Sequence, residues 1–231
     1  NVPIFSTVTV KARVRSGSTW SAVQQAAFFV PQDLSKLVIN EIMYHPPDDT
    51  GLDGNEYEFL ELLNTGSETL NLDNVTFAAG ITYTFPPGAT VPPGGFVVLA
   101  SNATAFEAKY GFAPDGVYLD RLSNSGETVR LLGGLGGEID SVTYTDLPPW
   151  PADADGLGSS LELIDAQLDN SLPENWKSSA AAGGTPGAPN SSGTTDPCAT
   201  PPPVIVMNEI NYNSSDTFNP EDWVELYNPG E

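Results

Sequence analysis

Proline and glycine divide this chain so finely that no long regular element can form. There are 21 prolines and 22 glycines in 231 residues, and PPG, PGG and NTG turns close off one short apolar run after another. That is the punctuation of many short strands joined by tight turns. Strand-like runs fall at 5–14, 20–30, 38–44, 59–63, 69–77, 81–85, 96–100, 117–120, 127–133, 138–145 and 160–165. One segment alone reads as a helix, Asn102 to Tyr110, where Asn102 or Thr104 can cap and Phe106 and Tyr110 fall on one face. No strand-helix-strand alternation supports a parallel sheet, so the expected fold class is all-β, an antiparallel β-sandwich.

The sandwich pattern is clearest from Val38 to Gly66. Two apolar runs, each holding one glutamate (Glu41 and Glu61), flank an acidic, turn-rich loop. Much of this stretch returns near the C-terminus. Asn208-Glu209-Ile210 matches Asn40-Glu41-Ile42, Tyr212 matches Tyr44, and Glu225-Leu226 matches Glu61-Leu62. Asn228 and Gly230 then match Asn64 and Gly66. Glu209 lies 168 residues after Glu41 and Glu225 lies 164 after Glu61, so the two copies differ by a short indel confined to the loop. Ordered matches of this kind mark a repeated module. The organisation expected is an N-terminal piece at 1–35, one complete module at 36–190, a linker at 191–203 and the first strands of a second module at 204–231. From Ser178 onward the chain has almost no large apolar side chain up to the prolines at 201–203. Burial therefore offers little to offset its ordering entropy, which is the character of a linker.

At INEIMY and FLELLNTG, and again at LDNVTF, the proline-rich turn before FVVLA, ADGLGSSLEL and NWKSSAAAGGTPGAPN, the sequence resembles the lamin tail domain family. The resemblance covers nearly all of the complete module. It implies an immunoglobulin-like β-sandwich of the type found in nuclear lamin tails and in bacterial secreted and surface proteins. It also implies no catalytic residue set, the members acting mostly as interaction or spacer modules. The N-terminal piece resembles the last two strands of a small immunoglobulin-like domain from bacterial carbohydrate-active and surface proteins.

Charge narrows the partners. Asp and Glu number 30 against 8 Lys and Arg, a net charge of -22, and such a surface repels a phosphate backbone. Nucleic acid is therefore not an expected partner. Cys198 is the only cysteine, so no internal disulfide can form; it is either an incidental thiol or half of a bridge to another chain. No apolar run approaches the roughly 20 residues that span a bilayer. The location expected is extracellular or at a cell surface.

Several constellations are candidates for chemistry. Asp48, Asp49 and Asp53, with Asn55 and Glu56, crowd one loop, and Asp153 and Asp155 make a second acidic turn before Gly156. Either could offer carboxylate oxygens to Ca2+, or be solvated turns whose side chains cap backbone amides. Trp150 and Trp176 are candidate sugar-stacking platforms, with plugging the end of the sandwich as the alternative. Glu41 and Glu61 could pair as acid and base for glycoside hydrolysis, but their return as Glu209 and Glu225 favours a structural role. His45, the only histidine, excludes a multi-histidine metal centre and sits beside no nucleophile motif. Gly133-Gly134 and Gly136-Gly137 lack the lysine and helix of a phosphate loop and read as a hairpin turn.

The functional expectation is a non-catalytic structural or adhesive module of a large multidomain surface protein. It would act as a spacer, or assemble with other modules or copies of itself through sheet edges. The alternative is a carbohydrate-binding or accessory module of a secreted hydrolase or kinase-like enzyme, with glycans as partners. The stretch 204–231, too small to be stable alone, is expected to pair with another chain, with the N-terminal hairpin or with continuing sequence.

Overall fold

The computed structural model describes residues 8–28, 32–191, 206–211 and 223–227. Cys198, nearly all of the linker, and Tyr212, Asn228 and Gly230 of the repeat lie outside them. The chain forms two compact units, Asn1–Gly193 and Thr194–Glu231.

The first unit opens with a hairpin, β1 (Val8–Ala12) paired antiparallel with β4 (Gln24–Phe28), its far end closed by β2 (Arg15–Ser16) and β3 (Thr19–Trp20). The module proper follows: β5 (Leu37–Met43), β6 (Phe59–Asn64), β7 (Leu70–Asn71), β8 (Thr76–Ala79), β9 (Thr90–Val91) and β10 (Phe96–Ala100), then helix α1 (Ala103–Tyr110). After the helix come β11 (Gly116–Val117), β12 (Gly126–Leu132), β13 (Glu138–Thr145), β14 (Leu161–Leu163) and β15 (Trp176–Ser178). One sheet has the order β11-β10-β6-β5-β14-β15, antiparallel apart from the parallel β10–β11 edge; the other is β13-β12-β8. The fold is the immunoglobulin-like β-sandwich expected.

The core lies between the two sheets. Ile39, Ile42, Leu60, Leu62, Leu99, Leu161 and Leu163 come from the first, and Phe77, Val129, Leu131, Val142 and Tyr144 from the second. Apart from Ile39 and Ile42, which flank an irregularity in β5, these positions alternate along their strands, as burial of one face requires. The other face of the six-stranded sheet is also buried. Met43, Phe59, Val98 and Ala100 pack there beneath Phe106 and Tyr110 of α1. Asn102 caps the helix by accepting the amides of Thr104 and Ala105, and Gly111 ends it in the left-handed conformation.

Several expected strands are shorter than the sequence suggests. The run 69–77 breaks at Asn74, whose φ of 60° turns the chain between β7 and β8. Residues 81–85 do not form a ladder but fold back on β8 through the Phe77 amide, which donates to the Tyr83 carbonyl, and the Thr76–Thr84 hydroxyl pair.

The second unit contains β16 (Val206–Asn211) and β17 (Trp223–Tyr227), paired antiparallel. The register repeats that of β5 and β6. Glu209 stands opposite Glu225 as Glu41 stands opposite Glu61, and each ladder skips one residue just before the first glutamate. The skipped residue is Asn40 in one ladder and Asn208 in the other, so the β-bulge recurs with the sequence that encodes it.

Candidate functional site

The bulge at Asn40 resets the in-out alternation of β5. Ile39 and Ile42 both face the sandwich core, which leaves Glu41 on the opposite face. Glu61 lies opposite Glu41 on β6, and Glu162 lies opposite it on β14. Three carboxylates therefore form a row across three adjacent strands, and all three side chains are fully buried.

Residues 179–191 cover this row. They form a strap with no regular structure, held by donors that converge on the carboxylates. The Thr185 amide donates to Glu41 Oε1 at 2.9 Å, and the Ser160 hydroxyl donates to the same oxygen at 2.5 Å. The Gly187 amide donates to Glu61 Oε2 at 2.6 Å, while Asn40 Nδ2 donates to Glu61 Oε1 at 2.8 Å. Glu162 accepts from the hydroxyls of Thr185 (2.7 Å) and Ser191 (2.9 Å). The Tyr110 hydroxyl ties the helix to the strap through the Gly183 carbonyl at 2.8 Å. Gly184 must be glycine on two counts: its φ is +80°, and a Cβ there would stand 2.1 Å from Glu41 Oε1.

Burial pushes Glu41 up to about 8 despite the Ser160 and Thr185 hydrogen bonds, with the neighbouring Glu61 and Glu162 charges adding to the rise. Burial likewise pushes Glu61 up to about 8 against its bonds from Gly187 and Asn40. Glu58, at the start of β6, is driven up to about 7 by burial, although the Leu122 amide and the Tyr118 hydroxyl both donate to its Oε2. Among the described residues, Glu41 Oε2 and Glu58 Oε1 are buried without a hydrogen-bond partner.

The strap's end is clamped to the module's first strand. Asn40 Nδ2 donates to Asn190 Oδ1 at 2.8 Å, and Asn190 Nδ2 donates to the Asn40 and Leu163 carbonyls at 3.1 and 2.9 Å. The Ser191 hydroxyl accepts the Ala180 amide at 2.8 Å and so closes the strap on itself. Residues 179–191 are thus part of the module, and the linker-like composition that begins at Ser178 does not mark its end.

The acidic loops are held by local hydrogen bonds. Asp48 Oδ1 accepts the Gly54 amide and Asp53 Oδ1 accepts the Asn55 amide. The Asp49 backbone pairs with Leu52, and its carbonyl accepts the Tyr57 hydroxyl. Asp155 Oδ1 lies 2.6 Å from His45 Nδ1, and the Gly156 amide donates to the His45 carbonyl, fastening the 153–156 turn to the end of β5. Among the described residues no three Asp, Glu, His or Cys side chains converge as metal ligands. Of the residues expected to hold Ca2+, Asp48, Asp49, Asp53, Asp153 and Asp155, Asp48 and Asp53 cap a turn and Asp155 holds a histidine. Trp150 and Trp176, the candidate stacking platforms, lie in the main core. They are 7% and 3% exposed, their rings lie 6.0 Å apart in the main core, and the Trp176 indole N–H donates to the Asn170 carbonyl. A ring enclosed on both faces offers none to a sugar.

Sequence reasoning singled out Glu41 and Glu61 but passed over Glu162 and the strap. The signal for Glu162 is its setting, Leu161-Glu162-Leu163, which repeats Leu60-Glu61-Leu62.

These features define a class: an immunoglobulin-like sandwich whose outer sheet face carries a carboxylate row closed by its own C-terminal segment. The family model of the Lamin Tail Domain matches residues 31–146, just over half of the chain, and the chain belongs to that family. The match ends before β14, β15 and the strap. Among solved structures, the chain is similar to a DUF4876 family protein from Bacteroides thetaiotaomicron, with 12% identity and a TM-score of 0.42 over 69% of this chain and 71% of that one. No curated protein matches. Among the described residues, no helix is long and apolar enough to cross a membrane.

Proposed function

We infer that this chain is a non-catalytic spacer and interaction module of a multidomain bacterial-type protein, displayed outside the cell or at its surface. The observation that supports this most directly is the clamp between Asn40 and Asn190. It pins the strand that begins the module to the segment that ends it, so tension applied along the chain loads the clamp and the strap before it reaches the core. Short hydrogen bonds from the strap to the buried side chains of Glu41, Glu61 and Glu162 reinforce the same closure.

The repeated register of β16 and β17 supports reading 204–231 as the first strands of a second module, joined to 36–190 through the 191–203 linker. The hairpin within 1–35 is read as the closing strands of a preceding immunoglobulin-like domain. A string of such modules holds its neighbours at set distances and offers sheet edges and loops for contact.

Single-molecule pulling on the chain tethered at both ends tests the reading. The expected trace has one force peak that releases roughly 50 nm, the extended length of the module, and the peak falls to lower force in Asn190→Ala. A module that extends gradually with no peak would overturn the assignment.

A further inference from the structure

The strap is held to its module by hydrogen bonds far more than by apolar packing. From Thr185 to Ser191 only Pro186 is buried. The Thr185 and Gly187 amides bond Glu41 and Glu61, the Thr185 and Ser191 hydroxyls bond Glu162, and Asn190 clamps Asn40. A segment with so little apolar burial opens more readily than the core it covers. Closure also leaves Glu41 Oε2 buried without a hydrogen-bond partner, a cost that opening to water removes.

The strap also has a hinge. Gly183 is fastened to the body of the module: its amide donates to the Gly158 carbonyl, and its own carbonyl accepts the Tyr110 hydroxyl. Gly183 and Gly184 then hold φ of 88° and 80°, two consecutive left-handed residues that turn the chain onto its own row. Glycine adopts the extended conformation as readily. With these two residues extended, 185–191 leave their row and carry the whole set of donors with them. Beyond Ser191 the sequence runs to the prolines at 201–203 with almost no large apolar side chain, so this departure draws no core-forming segment out of the module.

We propose that copies of this chain exchange straps: residues 185–191 of one copy seat on the Glu41, Glu61 and Glu162 row of a second, whose own strap seats on the first. The fit is the one already seen within a single chain, because the same segment meets the same row. The exchange is reciprocal and closes as a two-fold dimer, in which Asn40 of each copy is clamped by Asn190 of the other. Everything that follows the strap in sequence is then tied to the neighbouring copy. A strap on its own chain has the higher effective concentration, so exchange belongs to copies held close together. The proposal deepens the interaction reading and rests on the strap closure described there. Pulling tests that closure, whereas the measurements below ask which chain supplies the strap, so either can fail alone.

Sedimentation velocity of the 231-residue chain over a range of concentrations is expected to show dimers that increase with concentration. Gly183→Pro cannot hold a φ of 88°, so it hinders closure within one chain and leaves exchange open; it is expected to tighten dimerisation about tenfold or more. Near-ultraviolet circular dichroism of the core tryptophans reports that its sandwich is folded. In dimers assembled from equal amounts of isotope-labelled and unlabelled chains, isotope-filtered NOEs are expected between Asn190 of one chain and Asn40 of the other. Wild-type dimers carry this measurement whether or not the variant folds. A wild-type chain that stays monomeric at every concentration overturns the proposal. So does a folded Gly183→Pro chain that dimerises no better than wild type, or a dimer whose Asn40 and Asn190 contact remains within one chain.

Discussion

Asn40 and Asn190, 150 residues apart, exchange side-chain amide bonds: Asn40 Nδ2 donates to Asn190 Oδ1, and Asn190 Nδ2 donates to the Asn40 carbonyl. Asn40 can make this exchange because it is the extra residue of the β5 bulge, where its side chain also reaches Glu61. The bulge therefore aims Glu41 at the outer face and frees Asn40 to hold the strap. Asn190→Ala removes both partners' bonds and leaves the Leu163 carbonyl without the amide that reaches it. The expected cost is about 2–3 kcal/mol, a drop in melting temperature of roughly 4–12 °C for a module of this size. Differential scanning calorimetry checks it, and an unchanged transition would show that the clamp does not hold the strap.

Gly184 tests the seat of the strap. Alanine there adds a Cβ 2.1 Å from Glu41 Oε1 and must hold a φ of +80°, a conformation that costs an L-residue roughly 1–2 kcal/mol before any clash. Gly184→Ala is expected to lift the strap while leaving the sandwich folded. In hydrogen exchange, the Thr185 and Gly187 amides would lose protection and the β12–β13 amides would keep theirs. Equal loss in both places would mean that strap and sandwich open as one unit.

The carboxylate row sets the pH dependence. Glu41 and Glu61 are raised to about 8, and Glu58 to about 7, from an ordinary value of 4.5. The folded module thus binds more protons than the unfolded chain between those limits. Its stability is fully present below about pH 4.5 and declines as pH rises through about 7 to 8. Glu41 and Glu61 face each other across the sheet, so their proton losses are spread over that window. Melting temperatures from about pH 4.5 to about pH 8.5 should fall steadily. The double variant Glu41→Gln, Glu61→Gln should flatten the slope, which separates the row from general repulsion among surface acids. A wild-type module whose stability increases across this range would contradict the burial of charge-averse carboxylates.

Much of this architecture is legible in the sequence, because the strands are bounded by proline and glycine and their core residues alternate. The repeat of Asn-Glu-Ile and Glu-Leu also discloses that Glu41 and Glu61 go with the bulge and its register, which recur at Glu209 and Glu225. The strap is not legible in that way. Its seat depends on backbone amides meeting carboxylates from strands far away in sequence, and no apolar periodicity accompanies such contacts. The same absence of large side chains that suggests a linker lets residues 183–187 lie close against the sheet. The burial of Trp150 and Trp176 is illegible for a related reason: their proline-rich and polar neighbours suggest exposure, while Trp150 sits against Trp176 inside the core.

Trp150 separates a packing role from a binding one. Its ring is buried against Trp176 in the main core, so Trp150→Ala leaves a cavity where an indole stood. The expected loss is about 3–5 kcal/mol, with the near-ultraviolet circular dichroism of the coupled indoles diminished. Trp150→Phe keeps most of the volume and should recover more than half of that stability. A surface platform would behave in the opposite way, with alanine tolerated and the spectrum little changed.

The acidic turns make the last test. Asp48 and Asp53 already accept backbone amides, and Asp155 is paired with His45. For Ca2+ to bind, these contacts would have to break and roughly six to eight oxygens assemble from separate turns. Titration with millimolar Ca2+ is therefore expected to give no saturable heat and no rise in melting temperature. A rise that vanishes in Asp155→Asn would show that the 153–156 turn leaves His45 to take up the cation.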